Sequence, residues 1–330
     1  MSSNLSSIRS AARFLSRVLP LFVCLAVLAT SRVEALGSKV FKEVDQALAS
    51  VTFDTYGGLV RCNLPADLRA GDTISGTIQM EPDGSNDSYK QRSLKKLNDY
   101  IVFVGKHEVY ARLGTFRFNI PPDTTSLEIR LSNKKGANLG SETIEVAPAT
   151  SESEPASYKV SSFVEANKPV AITGDFPGDF RMNEVTVNDQ AATPLAQSPR
   201  SLVFLPPENM SGTLKLRLKE GKHLFRGEFT ALSVSLSMVT NKVERGKSHS
   251  LLVRVVGLKD NAPSVMVKVQ NLTPQIVNLE GGDVQSVGAK SDTGTWELKR
   301  EVLGARVGAF RIVAALVPSE KKNNLSQSVD

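Results

Sequence analysis

The chain has 330 residues, 41% of them hydrophobic, and carries 40 Lys and Arg against 34 Asp and Glu for a formal charge of +6. Single domains commonly run to about 100–150 residues, so this length implies two or three, each able to bury a core. The excess charge is small and scattered, with Lys134-Lys135 and Lys321-Lys322 as isolated pairs, which argues against the continuous basic stripe of a nucleic-acid binder.

Arg9, Arg13 and Arg17 precede the apolar run Val18 to Ala29, and small residues close the segment at Val33-Glu34-Ala35. Basic, apolar and small-residue regions in that order predict a secretory signal peptide over 1–35. The apolar run is shorter than the roughly 18–20 residues that span a bilayer; tethering by an uncleaved N-terminal anchor is the alternative. Bulky Val23 before Cys24 argues against a lipid-modified cysteine. Removal of Arg9, Arg13, Arg17 and Arg32 together with Glu34 takes the formal charge from +6 to +3. It also leaves Cys62 alone, so the mature chain has no intrachain disulfide, and the alternation Leu59-Val60-Arg61-Cys62 buries that thiol as a small hydrophobe. No second long apolar stretch follows, so no membrane span is expected in the mature chain, which is placed in the secreted, periplasmic or cell-surface compartment.

Residues 36–50 read as a short helix or linker, because Val40 to Leu48 has apolar residues near helical spacing. From Val51 onward brief alternating runs are separated by Gly, Pro, Asn and Asp, the pattern of strands and tight turns. A first β-sandwich domain is expected over 51–147. Its strands are Thr73 to Met80, Tyr100 to Val104, Thr115 to Ile120, Leu127 to Leu131 and Thr143 to Val146. The polar stretch from Glu81 to Asn98 reads as a long loop, and Gly105-Lys106-His107-Glu108 as a hairpin connection. Residues 148–157, rich in Ser, Glu and Pro, form a linker. A second sandwich follows over 158–230, a third over 231–318 with a hairpin at Gly281-Gly282-Asp283, and 319–330 is a disordered tail.

Two internal echoes suggest a reused module. Phe118-Asn119-Ile120-Pro121-Pro122 before Leu127, Ile129 and Leu131 matches Phe204-Leu205-Pro206-Pro207 before Leu214, Leu216 and Leu218. The paired prolines stop a strand because Pro cannot donate to a ladder. Leu68-Arg69-Ala70-Gly71-Asp72-Thr73-Ile74 likewise matches Val243-Glu244-Arg245-Gly246-Lys247-Ser248-His249-Ser250-Leu251.

The middle block is the most specific. Val170-Ala171-Ile172-Thr173-Gly174-Asp175-Phe176, Val185-Thr186-Val187-Asn188-Asp189, Ser201-Leu202-Val203-Phe204-Leu205-Pro206-Pro207 and Gly212-Thr213-Leu214-Lys215-Leu216 together resemble the IPT/TIG branch of immunoglobulin-like domains. Asp189 stands where that hairpin often has Gly. The resemblance covers about seventy residues and implies one small sandwich there; with the strand texture of the other two blocks and the N-terminal segment, the expected fold is all-β, three serial immunoglobulin-like sandwiches after a signal peptide.

Chemistry is sparse. His107, His223 and His249 are far apart and lack zinc spacing, and no Walker loop, nucleophile elbow or dinucleotide fingerprint occurs. Oxygen ligands gather at Asp83, Asn86 and Asp87, and at Asp175 and Asp179, where turn formation explains them more simply than calcium. Trp296 is expected in a core, and with the tyrosines Tyr56, Tyr89, Tyr100, Tyr110 and Tyr158 it makes a set too small and dispersed to define a sugar-stacking platform. No catalytic, cofactor-binding or metal-binding residue is assigned. The expected role is an exported interaction or structural protein presenting loops to a protein or polysaccharide. An accessory carbohydrate- or polymer-binding module and an enzyme with an unfamiliar site are the alternatives.

Overall fold

The computed structural model describes residues 39–44, 47–84, 86–149, 157–176, 179, 183–238, 243–258, 265–317 and 321–328. The signal expected over 1–35 and most of the linker expected over 148–157 lie outside them. The fold is all-β, with antiparallel sheets packed face to face as sandwiches. Among the described residues, buried hydrophobics group into three large cores and a small fourth.

Around the N-terminal core run β1 (Lys39–Val44), β2 (Leu48–Thr55), β3 (Gly58–Pro65), β4 (Thr73–Pro82), β5 (Tyr100–Val104), β6 (His107–Tyr110), β7 (Thr115–Asn119), β8 (Ser126–Asn133) and β9 (Asn138–Glu145). One face is β1-β2-β3-β4 with β7 on the far edge of β4, and the other is β6-β5-β8-β9. Phe53, Val60, Ile74, Val102, Ile129 and Leu131, all fully buried, fill the space between them. Each such side chain contributes about 1.5–3 kcal/mol of transfer free energy.

The helix expected over 36–50 is instead strand: β1 pairs with β2 through six residues, Lys39 opposite Asp54 to Val44 opposite Ala49. A nine-residue helix is marginal in water, whereas Val40, Phe41 and Val44 suit a pleated strand and the edge of β2 satisfies their backbone. A helix, α1 (Asp87–Leu97), occupies the stretch expected to be a loop. Only Leu97 is buried in it, so it has almost no apolar stripe to read; its start is fixed by Asn86, whose side chain accepts the Tyr89 N–H at 3.1 Å.

Cys62 is wholly buried in β3, and burial pushes its thiol up to about 12. We expect no labelling of Cys62 by a thiol-specific disulfide reagent at pH 8 until denaturant is added; rapid labelling of the native chain would contradict this burial. An unfolded thiol ionises at lower pH than the buried one, so its contribution to stability falls as pH rises from 9 towards 12.

The middle core is enclosed by β10 (Lys159–Ser161), β11 (Phe163–Glu165), β12 (Val170–Thr173), β13 (Asn183–Val187), β14 (Gln190–Ala191), β15 (Thr193–Gln197), β16 (Ser201–Leu205), β17 (Gly212–Glu220) and β18 (His223–Met238). The β13–β14 turn places Asn188 and Asp189 at φ 49° and 66°, both in the left-handed region that a two-residue primed hairpin demands. Asp189 therefore takes the backbone role of a glycine, and Arg217 holds its carboxylate at 2.7 Å. Tyr158 packs edge-on to Phe176, with centroids 5.1 Å apart. Its hydroxyl bonds to the Asp175 carbonyl at 2.7 Å and contacts Glu220 at 2.5 Å. Burial, reinforced by Glu220, pushes this phenol above its ordinary range. Gly174 lies against the Tyr158 ring, where a Cβ would collide.

The C-terminal core is built from the second half of β18 with β19 (Ser248–Val256), β20 (Val265–Asn271), β21 (Val277–Leu279), β22 (Val284–Ala289), β23 (Thr295–Gly304) and β24 (Ile312–Leu316). Its sheets are β18-β19-β23-β21 and β22-β20-β24. Trp296, half-buried, packs against this core. Gly281 and Gly282, at φ 84° and 102°, do not close a hairpin as expected. They carry the chain from β21 in one sheet to β22 in the other, because β22 takes its backbone partners from β20.

The second internal echo is structural. Arg69 and Arg245 each form an isolated parallel bridge, to Ala147 and Gly304, just before a glycine at φ 84° (Gly71) or 76° (Gly246) and a long strand.

Among the described residues, backbone pairing ties the units together at three notable places, besides side-chain contacts. Where β3 leaves the edge of β4 at Asn63–Thr77, β15 takes it over with Ala196 opposite Gly76 and Gln197 opposite Ser75, making one ten-stranded sheet. The boundary expected at 230–231 falls inside β18, whose residues 223–231 pair with β17 and whose residues 233–238 pair with β19. The third is the tail. Residues 319–330 were expected to be disordered, yet β25 (Lys322–Asn324) pairs with β10, and β26 (Ser326–Ser328) pairs with residues 224–226 of β18. Leu325 between them is 7% exposed and belongs to the middle core. One leucine in a polar segment is a weak sequence signal, and backbone pairing on both sides supplies what composition could not.

Candidate functional site

The sequence-predicted chemistry stays apart. His107 stands beside Phe118 on the N-terminal core, with ring centroids 5.9 Å apart. His223 meets Gln327 at 3.1 Å in the middle, and His249 sits at the start of β19 with an unpartnered Nε2. Among the described residues, no three His, Cys, Asp or Glu side chains converge as metal ligands. Asn86 is spent on capping α1, and the carbonyl of Asp175 receives the Tyr158 hydroxyl.

Two tyrosines that look unrelated in the sequence are each tied to the same helix, α1. The β2–β3 turn is tight: the Thr55 hydroxyl donates to the Gly58 carbonyl at 2.7 Å and accepts the Gly57 N–H at 3.3 Å. Gly57 lies against Lys96, Leu97 and the Ser93 carbonyl of α1, where an added Cβ would sit in ordinary contact. The Asp83 N–H donates to the Gly57 carbonyl at 3.1 Å, and Gly84, at φ 138°, packs on the Cβ of Tyr89. These contacts set Tyr56, on the turn, over the last turn of α1 through Lys96, with Tyr89 in its first turns, seven residues or about 10 Å earlier along the axis.

Both rings face solvent, Tyr56 at 88% and Tyr89 at 57% exposure. A cation attends each, with Lys96 Nζ 4.1 Å from the Tyr56 centroid and Arg92 Cζ 5.6 Å from that of Tyr89. Residues 89, 92 and 96 fall on one helical face, so it carries one ring followed by two cations. Such pairs hold a ring in place by about 0.5–1 kcal/mol at exposed sites. Nearby Glu81 is 3.9 Å from Arg61, and Asp99 is paired with Lys134. Tyr110, 39% exposed, has its own arginine, Arg112, at 5.4 Å. This platform can stack a flat, partly apolar ligand face while cations engage its polar substituents. The sequence signal was present only as a tyrosine in a glycine turn and another in a polar run; α1 is what relates them.

An open cleft of about 620 Å³ lies between β1 and the end of β9, lined by Lys42, Asp67, Leu68, Arg69, Glu145 and Val146 among others. Its polar groups are already engaged: Lys42 donates to the Thr143 carbonyl at 3.0 Å, and Asp67 accepts from Ser198 and Ser201 at 2.8 and 2.9 Å. It presents charges of both signs and no unsatisfied set, so the tyrosine platform is the stronger candidate.

No protein-family model matches the chain, and no curated protein matches it. Solved structures resemble it in part. The mixed-linkage glucan utilization locus SGBP-B of Bacteroides ovatus, in complex with a mixed-linkage heptasaccharide, is 13% identical, covering 76% of this chain and 72% of that one at a TM-score of 0.22. A Salmonella alpha-2-macroglobulin mutant is 10% identical over 89% of this chain and 22% of that one, with a TM-score of 0.25. The three N-terminal domains of the bacteriophage RB49 highly immunogenic outer capsid protein are 12% identical over 79% and 93%, with a TM-score of 0.20. At these values the likeness transfers neither ligand nor site.

Proposed function

We propose that the chain is an exported, non-catalytic interaction protein of the cell envelope or extracellular space, presenting the loops of serial immunoglobulin-like sandwiches, the middle one of IPT/TIG type, to a polysaccharide. The observation that carries this reading is the pair of solvent-facing tyrosines at the β2–β3 turn and α1, each attended by a cation. A pyranose face laid on such rings buries apolar area at little entropic cost, because a tyrosine has few torsions to freeze. The sheet continuity through β4–β15 and β18 supports the presenting role, since a platform fixed on a stiff support loses less freedom on binding.

The test is retention of the purified chain on immobilised polysaccharides. Replacing Tyr56 and Tyr89 together by Ala should weaken retention about tenfold or more, from two stacking contacts of about 0.5–1.5 kcal/mol each, without moving the melting temperature. Unchanged retention by the double variant would overturn the platform as the contact surface.

A further inference from the structure

We infer that the ligand of this platform is an acidic polysaccharide, one bearing carboxylates along a sugar chain; the inference rests on the binding role proposed above. Its ground is charge complementarity. Along α1 stand Lys90, Arg92, Lys95 and Lys96 against the single acidic residue Asp87, and all five are exposed. The chain as a whole is far more evenly balanced, 40 basic to 34 acidic residues, so the helix concentrates positive charge that the rest of the surface disperses. Lys95 and Lys96 also lie in the last turn, where the carbonyl end of the helix favours cations.

The arrangement distinguishes among anions. A sugar chain offers apolar ring faces to Tyr56 and Tyr89 and, at intervals, a carboxylate to the cations beside each ring. Lys96 occupies one face of the Tyr56 ring, and at 88% exposure the other is open; a sugar stacked there brings its substituents close to the ammonium. A nucleic acid presents a much denser row of phosphates. Asp83 and Asp87 flank the start of α1, and Asp54 stands beside the turn, all three exposed, and would repel such a row while tolerating spaced carboxylates. A bilayer would require an apolar wedge, and the exposed residues of α1 include no aliphatic one.

The experiment is affinity electrophoresis of the full chain in gels containing polygalacturonate, its fully methyl-esterified form, or neutral dextran, with a single-stranded oligonucleotide and phosphatidylglycerol vesicles measured separately. Polygalacturonate should retard the chain, the ester should bind roughly tenfold more weakly, and retardation should fade as salt shortens the screening length from about 10 Å at 0.1 M to about 3 Å at 1 M. A variant combining Arg92→Gln, Lys95→Gln and Lys96→Gln should lose about tenfold in affinity for polygalacturonate while melting as the parent does. Lys268→Gln, at an exposed position on the C-terminal core, should change nothing. Equal binding of acid and ester, lost in the tyrosine variant, would overturn the acidic ligand and leave the proposed function standing. Oligonucleotide or vesicle binding as tight as that of polygalacturonate, with the same loss on removing the cations, would overturn it in favour of another polyanion. Failure of every polysaccharide to retard the chain would overturn both readings.

Discussion

Ending the chain after Glu320 should destabilise the middle core, and the first amides to lose protection should be those of β10 and of residues 223–228 in β18. The tail contributes one deeply buried side chain, Leu325, packed over Gly227, which leaves it room. It also covers two strand edges. The Leu325 N–H donates to the Tyr158 carbonyl at 2.8 Å, and the Asn323 side chain donates to the Glu228 carbonyl at 2.7 Å and accepts from the Ser162 hydroxyl at 2.8 Å. Removing a buried leucine to alanine typically costs about 2–5 kcal/mol, so Leu325→Ala alone should cost about 2–3 kcal/mol, and the truncation more. Hydrogen exchange of parent and truncated chains checks this. Protection should fall in the middle core while Phe53, Val60 and Ile129 in the N-terminal core keep theirs; unchanged exchange in β10 would contradict the role given to the tail.

Replacing Arg200 by Ala should uncouple the N-terminal core from the middle one. Arg200 Nη2 donates to the Asp67 carbonyl at 2.9 Å, and the guanidinium grips both carboxylate oxygens of Asp72, with Nη1 to Oδ1 at 3.2 Å. Its Nε lies 3.5 Å from Asp67 Oδ2 without the geometry of a hydrogen bond. The Asp72 side chain is only 13% exposed, so losing the guanidinium strands a carboxylate that solvent screens poorly. With the arginine itself 32% exposed, the cost is smaller than for a fully buried pair, about 1–3 kcal/mol. The readout is calorimetric: the N-terminal transition should move below the others or split from them. In a double-mutant cycle with Asp72→Asn the effects should fall short of additive. Full additivity would mean that the pair does not couple the cores.

Most strands were legible because one face of each meets a core and the other meets water. The runs Leu127 to Leu131, Val170 to Thr173 and Gly212 to Leu216 therefore carry the alternation that marks a half-buried strand. Legibility failed where burial came from elsewhere. On β2, β3 and β4 the polar face is also covered: Ser50, Asn63 and Thr77 are buried, bonded in a row at 2.8 and 3.1 Å, and Thr77 donates to the Leu195 carbonyl of β15 at 2.9 Å. Read alone, that face looks solvated, so the sequence gives no hint that the middle unit lies on it. Strand β1 failed because five of its six side chains face solvent beyond any pattern, and α1 because its burial rests on Leu97. The candidate site was less legible still. Tyr56 and Tyr89 are thirty-three positions apart in the chain, and only the turn glycines and the helix bring both to α1.

The shared strand β18 has a mechanical consequence. Tension applied along its sixteen residues passes directly from the middle core into the C-terminal one, with no loop between them to straighten. The ladders to β17 on one half and to β19 on the other lie across the direction of pull, so they are loaded together in shear rather than unzipped one pair at a time. Under stretch, the chain should yield first at its other junctions, leaving these two cores moving as one piece.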